Sequence, residues 1–112
     1  MDLITLYDRV VQTLPLDTNA FMSHLNSTID EFYAQYDEKY ILTPGATKVY
    51  ATSMDDGLNI YSEYTSAIVD NILYLASGDA NKKTDYQAHV QMAYKRVWKR
   101  YHSERHLTKE VW

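Results

Sequence analysis

The sequence predicts an all-α fold, a small four-helix bundle, on three observations. Four segments carry apolar residues at helical steps of three and four, with helix-breaking residues between them. Residues 67–76, AIVDNILYLA, hold eight apolar residues in ten. A surface helix shows one apolar stripe, so a helix oily nearly all round belongs at the centre of a bundle. Finally, a chain of 112 residues without cysteine is one domain long and can bury a core without disulfides or thiolate-bound metal.

The first helix is marked by Leu3, Leu6, Tyr7, Val10, Val11 and Leu14. Thr5 and Asp8 at its start resemble a capping box, and Pro15 stops it. Asp17 is the expected N-cap of the second helix, whose stripe is Phe21, Leu25, Ile29, Phe32, Tyr33 and Tyr36. Residues 38–57 lose the helical period and form a long connection between the second and third helices. Thr43-Pro44-Gly45 and Asp55-Asp56-Gly57 read as turns within it. Between them Lys48–Thr52 can pair with Tyr40-Ile41-Leu42 as a short β-hairpin. Such long loops often carry function, which makes Tyr40, Tyr50, Asp55 and Asp56 candidate loop contacts.

The third helix is expected from Asn59 or Ile60, with Gly78 as the left-handed residue that ends it. Asp79 then caps the fourth helix, whose stripe is Tyr86, Val90, Ala93, Tyr94, Val97, Trp98 and Tyr101. Beyond Glu104 no apolar period remains. The organisation expected is therefore a single helical domain over residues 1–104 and an extended C-terminal tail over 105–112.

Charge divides along the chain. Residues 1–79 hold twelve acidic and three basic side chains, whereas residues 80–112 hold three acidic and eight basic. The overall net charge of −4 conceals this split. A charge dipole of this kind favours head-to-tail contact between copies or a basic face against a polyanion. The basic cluster is AYKRVWKRYHSER, where Lys95, Arg96, Lys99 and Arg100 surround Trp98 and Tyr101. It reads as a solvated face near a helix C-terminus, as a docking face for an acidic protein surface, or as a phosphate-binding face. The acidic bulk of the chain ranks nucleic acid last.

Catalytic chemistry finds no support. No phosphate-binding glycine loop, nucleophile elbow or H-E-x-x-H motif occurs, and the chain has only three glycines. His102 and His106 share a helix face but lack further ligands for zinc. His24 and His89 stand alone. Adjacent carboxylates such as Asp30-Glu31 and Asp37-Glu38 do not face each other on a helix. The expectation is no enzyme, no cofactor and no metal. The apolar run at 67–76 is too short to span a bilayer, the N-terminus has no leader pattern, and no membrane role is expected. Tyrosine, with eleven residues against two Phe and two Trp, suits both core rims and protein interfaces.

Two segments together resemble the head–tail connector proteins of tailed bacteriophages, the adaptors beneath the portal. They are ITLYDRVVQTLPLDTNAFMSHLNSTIDEFYAQY and LNIYSEYTSAIVDNILYLASGDANKKTDYQAHVQMAYKRV. The likeness lies in a short first helix, a second helix with a Leu-Asn pair (here Leu25-Asn26), and a variable middle. A tyrosine-led apolar helix follows, Tyr64 through Ala76 with Asp79 after it, and then a long last helix. The resemblance implies a structural virion protein that forms a homo-oligomeric ring, usually a dodecamer, on the portal protein. Such a ring extends the DNA channel without sequence-specific contact and receives the downstream tail or stopper protein. It implies assembly in the host cytoplasm and no covalent chemistry. It also implies that the C-terminal segment reaches the portal, which makes His102, Arg105, His106 and Trp112 the docking residues, with Lys95, Arg96, Lys99 and Arg100 as a basic interface. The alternatives from the residues alone are a small nucleic-acid-binding regulator that uses the basic helix, and a non-viral helical interaction domain.

Overall fold

The computed structural model describes residues 1–47 and 50–110, the last seven of them as helical backbone only. Four α-helices form the bundle: α1 (Leu3–Thr13), α2 (Thr18–Gln35), α3 (Thr65–Ser77) and α4 (Ala80–Glu110). No strand occurs among the described residues, only two isolated β-bridges. The all-α bundle with a long α2–α3 connection is thus what the sequence predicts.

Asp2 caps α1: its carboxylate accepts from the Ile4 N–H at 3.1 Å and from the Thr5 hydroxyl at 3.0 Å. The capping box expected at Thr5 and Asp8 therefore sits three residues too late, because Asp2 is the N-cap of the helix and its carboxylate already caps the orphan N–H of Ile4. The Tyr7 hydroxyl donates to the Leu16 carbonyl at 2.6 Å and fixes the turn that Pro15 imposes. Asp17 caps α2 as expected, accepting from the Ala20 N–H at 2.8 Å.

α3 packs against α1, α2 and α4, and every residue from Ala67 to Leu73 is buried. Leu3, Leu6 and Val10 cover it from α1, and Phe21, Leu25, Ile29 and Phe32 belong to the same core from α2. Tyr86, Val90, Ala93 and Val97 complete the core from α4. The two polar interruptions of α3 are buried as well, and each has a partner. Asn71 donates to Thr28 Oγ1 at 2.8 Å and to Glu31 Oε2 at 2.9 Å. Asp70 Oδ2 lies 2.5 Å from His89 Nδ1 on α4. A buried polar group costs stability unless it is bonded, so these contacts let α3 sit centrally despite its Asp-Asn step. Gly78 ends α3 at φ 74°, and Asp79 accepts from the Asn81 N–H at 2.9 Å to start α4.

The connection departs from expectation in its pairing. Among the described residues Tyr40-Ile41-Leu42 does not pair with residues 50–52; Leu42 bridges to Ile60 instead. The Thr43 N–H donates to the Asn59 carbonyl and the Tyr61 N–H to the Ile41 carbonyl, both at 2.9 Å. Lys48 and Val49 of the expected strand lie outside the described residues. Because residues 59–61 are extended in this pairing, α3 cannot begin at Asn59 or Ile60. A 3-10 turn over Ser62–Tyr64 leads into Thr65. At the other end, the tail expected over 105–112 is helical backbone as far as Glu110. No Gly or Pro follows Ala80 to stop the helix, and the loss of an apolar stripe is not the loss of helical backbone.

Burial pushes the phenols of Tyr64 and Tyr86 well above the ordinary 10.0. A raised folded-state value means the fold favours the neutral phenol. This stability is present in full below pH 10 and is lost as pH climbs beyond it. In a spectrophotometric tyrosine titration, these two phenols are expected to ionise only together with unfolding, after exposed tyrosines have titrated. Substitution Tyr64→Phe should remove one phenol from that late step; an unchanged late amplitude would contradict the assignment.

Candidate docking face on the last helix

The inward stripe of α4 leaves an outward face that carries the basic cluster. Lys95, Arg96 and Lys99 are exposed, and no carboxylate among the described residues forms an ion pair with them. Met92 and Trp98, 49 % and 42 % exposed, sit among them. With Tyr94, these residues line an open, largely apolar recess. Trp98 was expected in the buried stripe. It falls at the edge of that stripe, and its ring lies 4.1 Å from that of His102, out on the helix flank. An exposed aromatic and a thioether ringed by cations form a surface suited to an acidic or amphipathic partner.

The fourth basic residue behaves differently. Arg100 donates to Glu63 Oε2 at 2.6 Å and lies 5.1 Å from the centre of the Tyr61 ring. It ties α4 to the turn before α3 and belongs to the fold. The separation of 37 residues between the partners hides this from the sequence, where Lys99 and Arg100 look alike.

His102 shares a hydrogen bond of 2.9 Å with the Tyr40 hydroxyl and so stands at the end of the packed body. The backbone of Arg105 and His106 continues α4, while their side chains and the whole of Trp112 lie outside the described residues. Of the four docking residues expected from the resemblance, His102 is the one whose side chain is described.

The loop contacts separate in the same way. Tyr40 is buried, 8 % exposed, with its ring edge-on to Tyr94 and Tyr101. It is a core residue, not an accessible loop contact. Tyr50 is exposed and donates to the Asp30 carboxylate. Asp56 accepts from the Thr52 and Ser53 N–H groups at 2.9 and 3.0 Å and from the Thr52 hydroxyl. Those bonds hold its carboxyl below the ordinary 3.8. Asp56 thus builds a turn, as an Asx residue does, while Asp55 remains exposed beside it.

One residue of the resemblance gains a structural role. The Asn26 side chain grips the backbone of Ala51: Nδ2 donates to its carbonyl at 2.9 Å, and its N–H donates to Oδ1 at 2.8 Å. The amide imitates one rung of a β-ladder and holds the connection onto α2. Among the described residues no group of three His, Cys, Asp or Glu side chains converges as a metal would need. No described helix is long and apolar enough to cross a membrane. Comparison with protein-family models, curated proteins and solved structures finds no match to this chain.

Proposed function

We propose that the protein is a structural adaptor at a phage head–tail junction, acting as a ring on the portal. The observation that carries this reading is the outward face of α4, where Met92 and Trp98 lie exposed among Lys95, Arg96 and Lys99. It is a face made for contact with another macromolecule. The order of the elements supports the reading too: the two segments that resemble connector proteins fall on α1–α2 and on α3–α4, and the variable middle falls on the connection.

The test is co-expression with the portal protein of the same genome, followed by electron microscopy of the purified rings. Decorated portals are expected, and their decoration should fall about tenfold when Trp98→Ala is combined with Lys95→Glu and Lys99→Glu, a loss of roughly 1.4 kcal/mol. Undecorated portals with the unaltered protein would end the proposal.

A second reading, a nucleic-acid-binding regulator, is favoured by the three exposed cations beside Trp98. It predicts DNA affinity that falls with salt at a log–log slope of about −2.7 for three phosphate contacts. Absence of a gel shift at low salt would remove it.

A further inference from the structure

The outward face of α4 is ordered along the helix. Met92, Lys95, Arg96 and Lys99 stand at i, i+3, i+4 and i+7, so one strip carries all four. Tyr94 and Trp98, one turn apart, border that strip, and the six residues line an open recess of about 460 Å³. The recess is largely apolar although three of the six are cations. Long basic side chains line such a space with their methylene stems and keep their charged heads in water.

Charge, composition and backbone together select what fits there. Among the described residues, Lys95, Arg96 and Lys99 have no carboxylate of the chain's own as an ion-pair partner. Their field favours an acidic occupant. A nucleic-acid backbone would meet the cations, but the twelve acidic side chains of residues 1–79 oppose a polyanion at longer range. A second copy offers no matching patch among the described residues. Its other exposed large apolar residues, Ile4, Tyr50 and Leu75, stand singly on α1, the α2–α3 connection and α3.

The backbone groups of α4 over this stretch bond within the helix. They leave nothing for an extended segment, whose own N–H and C=O groups would lie unpaired against an apolar recess. A helix satisfies its backbone internally and presents only side chains. Carboxylates at i and i+4 of a helix stand about 5–6 Å apart, the same one-turn spacing that separates Lys95 from Lys99.

We propose that the Met92–Trp98 face of α4 seats an acidic amphipathic helix of a partner protein. An apolar side chain of that helix enters the recess, and two of its carboxylates, one turn apart, lie opposite Lys95 and Lys99. The inference rests on the reading of this face as a docking surface and adds the chemistry of the segment that docks. Ion pairs at an exposed rim contribute little affinity. They set orientation and choice of partner, while burial against Trp98 and Met92 holds the helix in place.

The experiment is an NMR titration of the uniformly ¹⁵N-labelled full chain with three synthetic helical peptides. The first has leucines along one face with glutamates at i and i+4 beside them; the second carries lysine for glutamate; the third carries serine for leucine. Saturable shifts are expected with the first peptide at the Trp98 indole N–H and at the amides of Met92, Lys95 and Lys99. The other two should bind at least about tenfold more weakly. The double variant Lys95→Glu, Lys99→Glu, altered only at exposed positions, should reverse the preference and take the lysine peptide. Equal binding of the glutamate and lysine peptides, no saturation with the glutamate peptide, or an unreversed preference in the double variant would overturn the inference. So would tighter binding of a DNA duplex, or the same shifts appearing in the free chain as its own concentration rises, which would assign the face to nucleic acid or to a second copy. Decorated portals without peptide binding would remove this inference alone, and peptide binding with undecorated portals would remove the adaptor reading alone.

Discussion

Replacing Phe32 by alanine is expected to cost about 3–5 kcal/mol of folding stability, the largest effect of any single truncation considered. Phe32 is fully buried on α2. Its ring lies 5.2 Å from that of Tyr64, just before α3, and 6.3 Å from that of Tyr86 on α4, nearly parallel to the latter. One side chain thus links three elements around α3. Its removal leaves a cavity that rigid neighbouring rings cannot close, so the cavity cost adds to the lost transfer energy. Against a typical total of about 5–15 kcal/mol, this is a large share. Thermal unfolding followed by circular dichroism should show Tm lowered by at least about 12 °C, on the basis of roughly 4–8 °C per kcal/mol in a domain of this size. A loss below about 1 kcal/mol would mean that the three elements do not converge on this ring.

Removing the Asn26 amide is expected to act locally instead. In Asn26→Ala, both the N–H and the carbonyl of Ala51, itself only 4 % exposed, lose their partners. Leaving a buried polar group unsatisfied costs about 1–3 kcal/mol, and the connection can escape part of that cost by lifting off α2. Hydrogen exchange at the Ala51 amide should therefore accelerate about a hundredfold, equivalent to roughly 2.8 kcal/mol of local opening. Amides in α3 should change far less. Asn26→Asp retains the acceptor and loses the donor, and should fall between. Unchanged exchange at Ala51 in the alanine variant would show that the loop is held by something else.

Much of this architecture was legible from short-range chemistry. Asp17, Gly78 and Asp79 act within two or three residues of themselves, and their caps stand where the sequence puts them. The oily run at 67–76 marks the central helix because burial on all sides demands it. Where a choice depended on a distant partner, the sequence was silent. Ile60, Tyr61 and Tyr64 carry a helical spacing, yet Ile60 sits in a bridge to Leu42 and Tyr64 in a 3-10 turn. Apolar spacing alone does not distinguish these states. The same limit applies to the site. Lys99 and Arg100 are adjacent and both basic, and only the position of Glu63 makes one structural and leaves the other outward. The polar pair Asp70-Asn71 within the oily run was the visible hint of a buried polar network, because a core position holding a polar residue needs partners.

The exposed indole of Trp98 has a practical consequence. The chain has only two tryptophans, and this one stands in the recess on α4 beside the His102 ring. Its fluorescence is a native optical signal: a molecule that covers the recess and takes water off the indole shifts the emission to shorter wavelength, with no dye attached. A Trp112→Phe background isolates that signal, so occupancy could be followed in a cuvette, in real time, at micromolar protein.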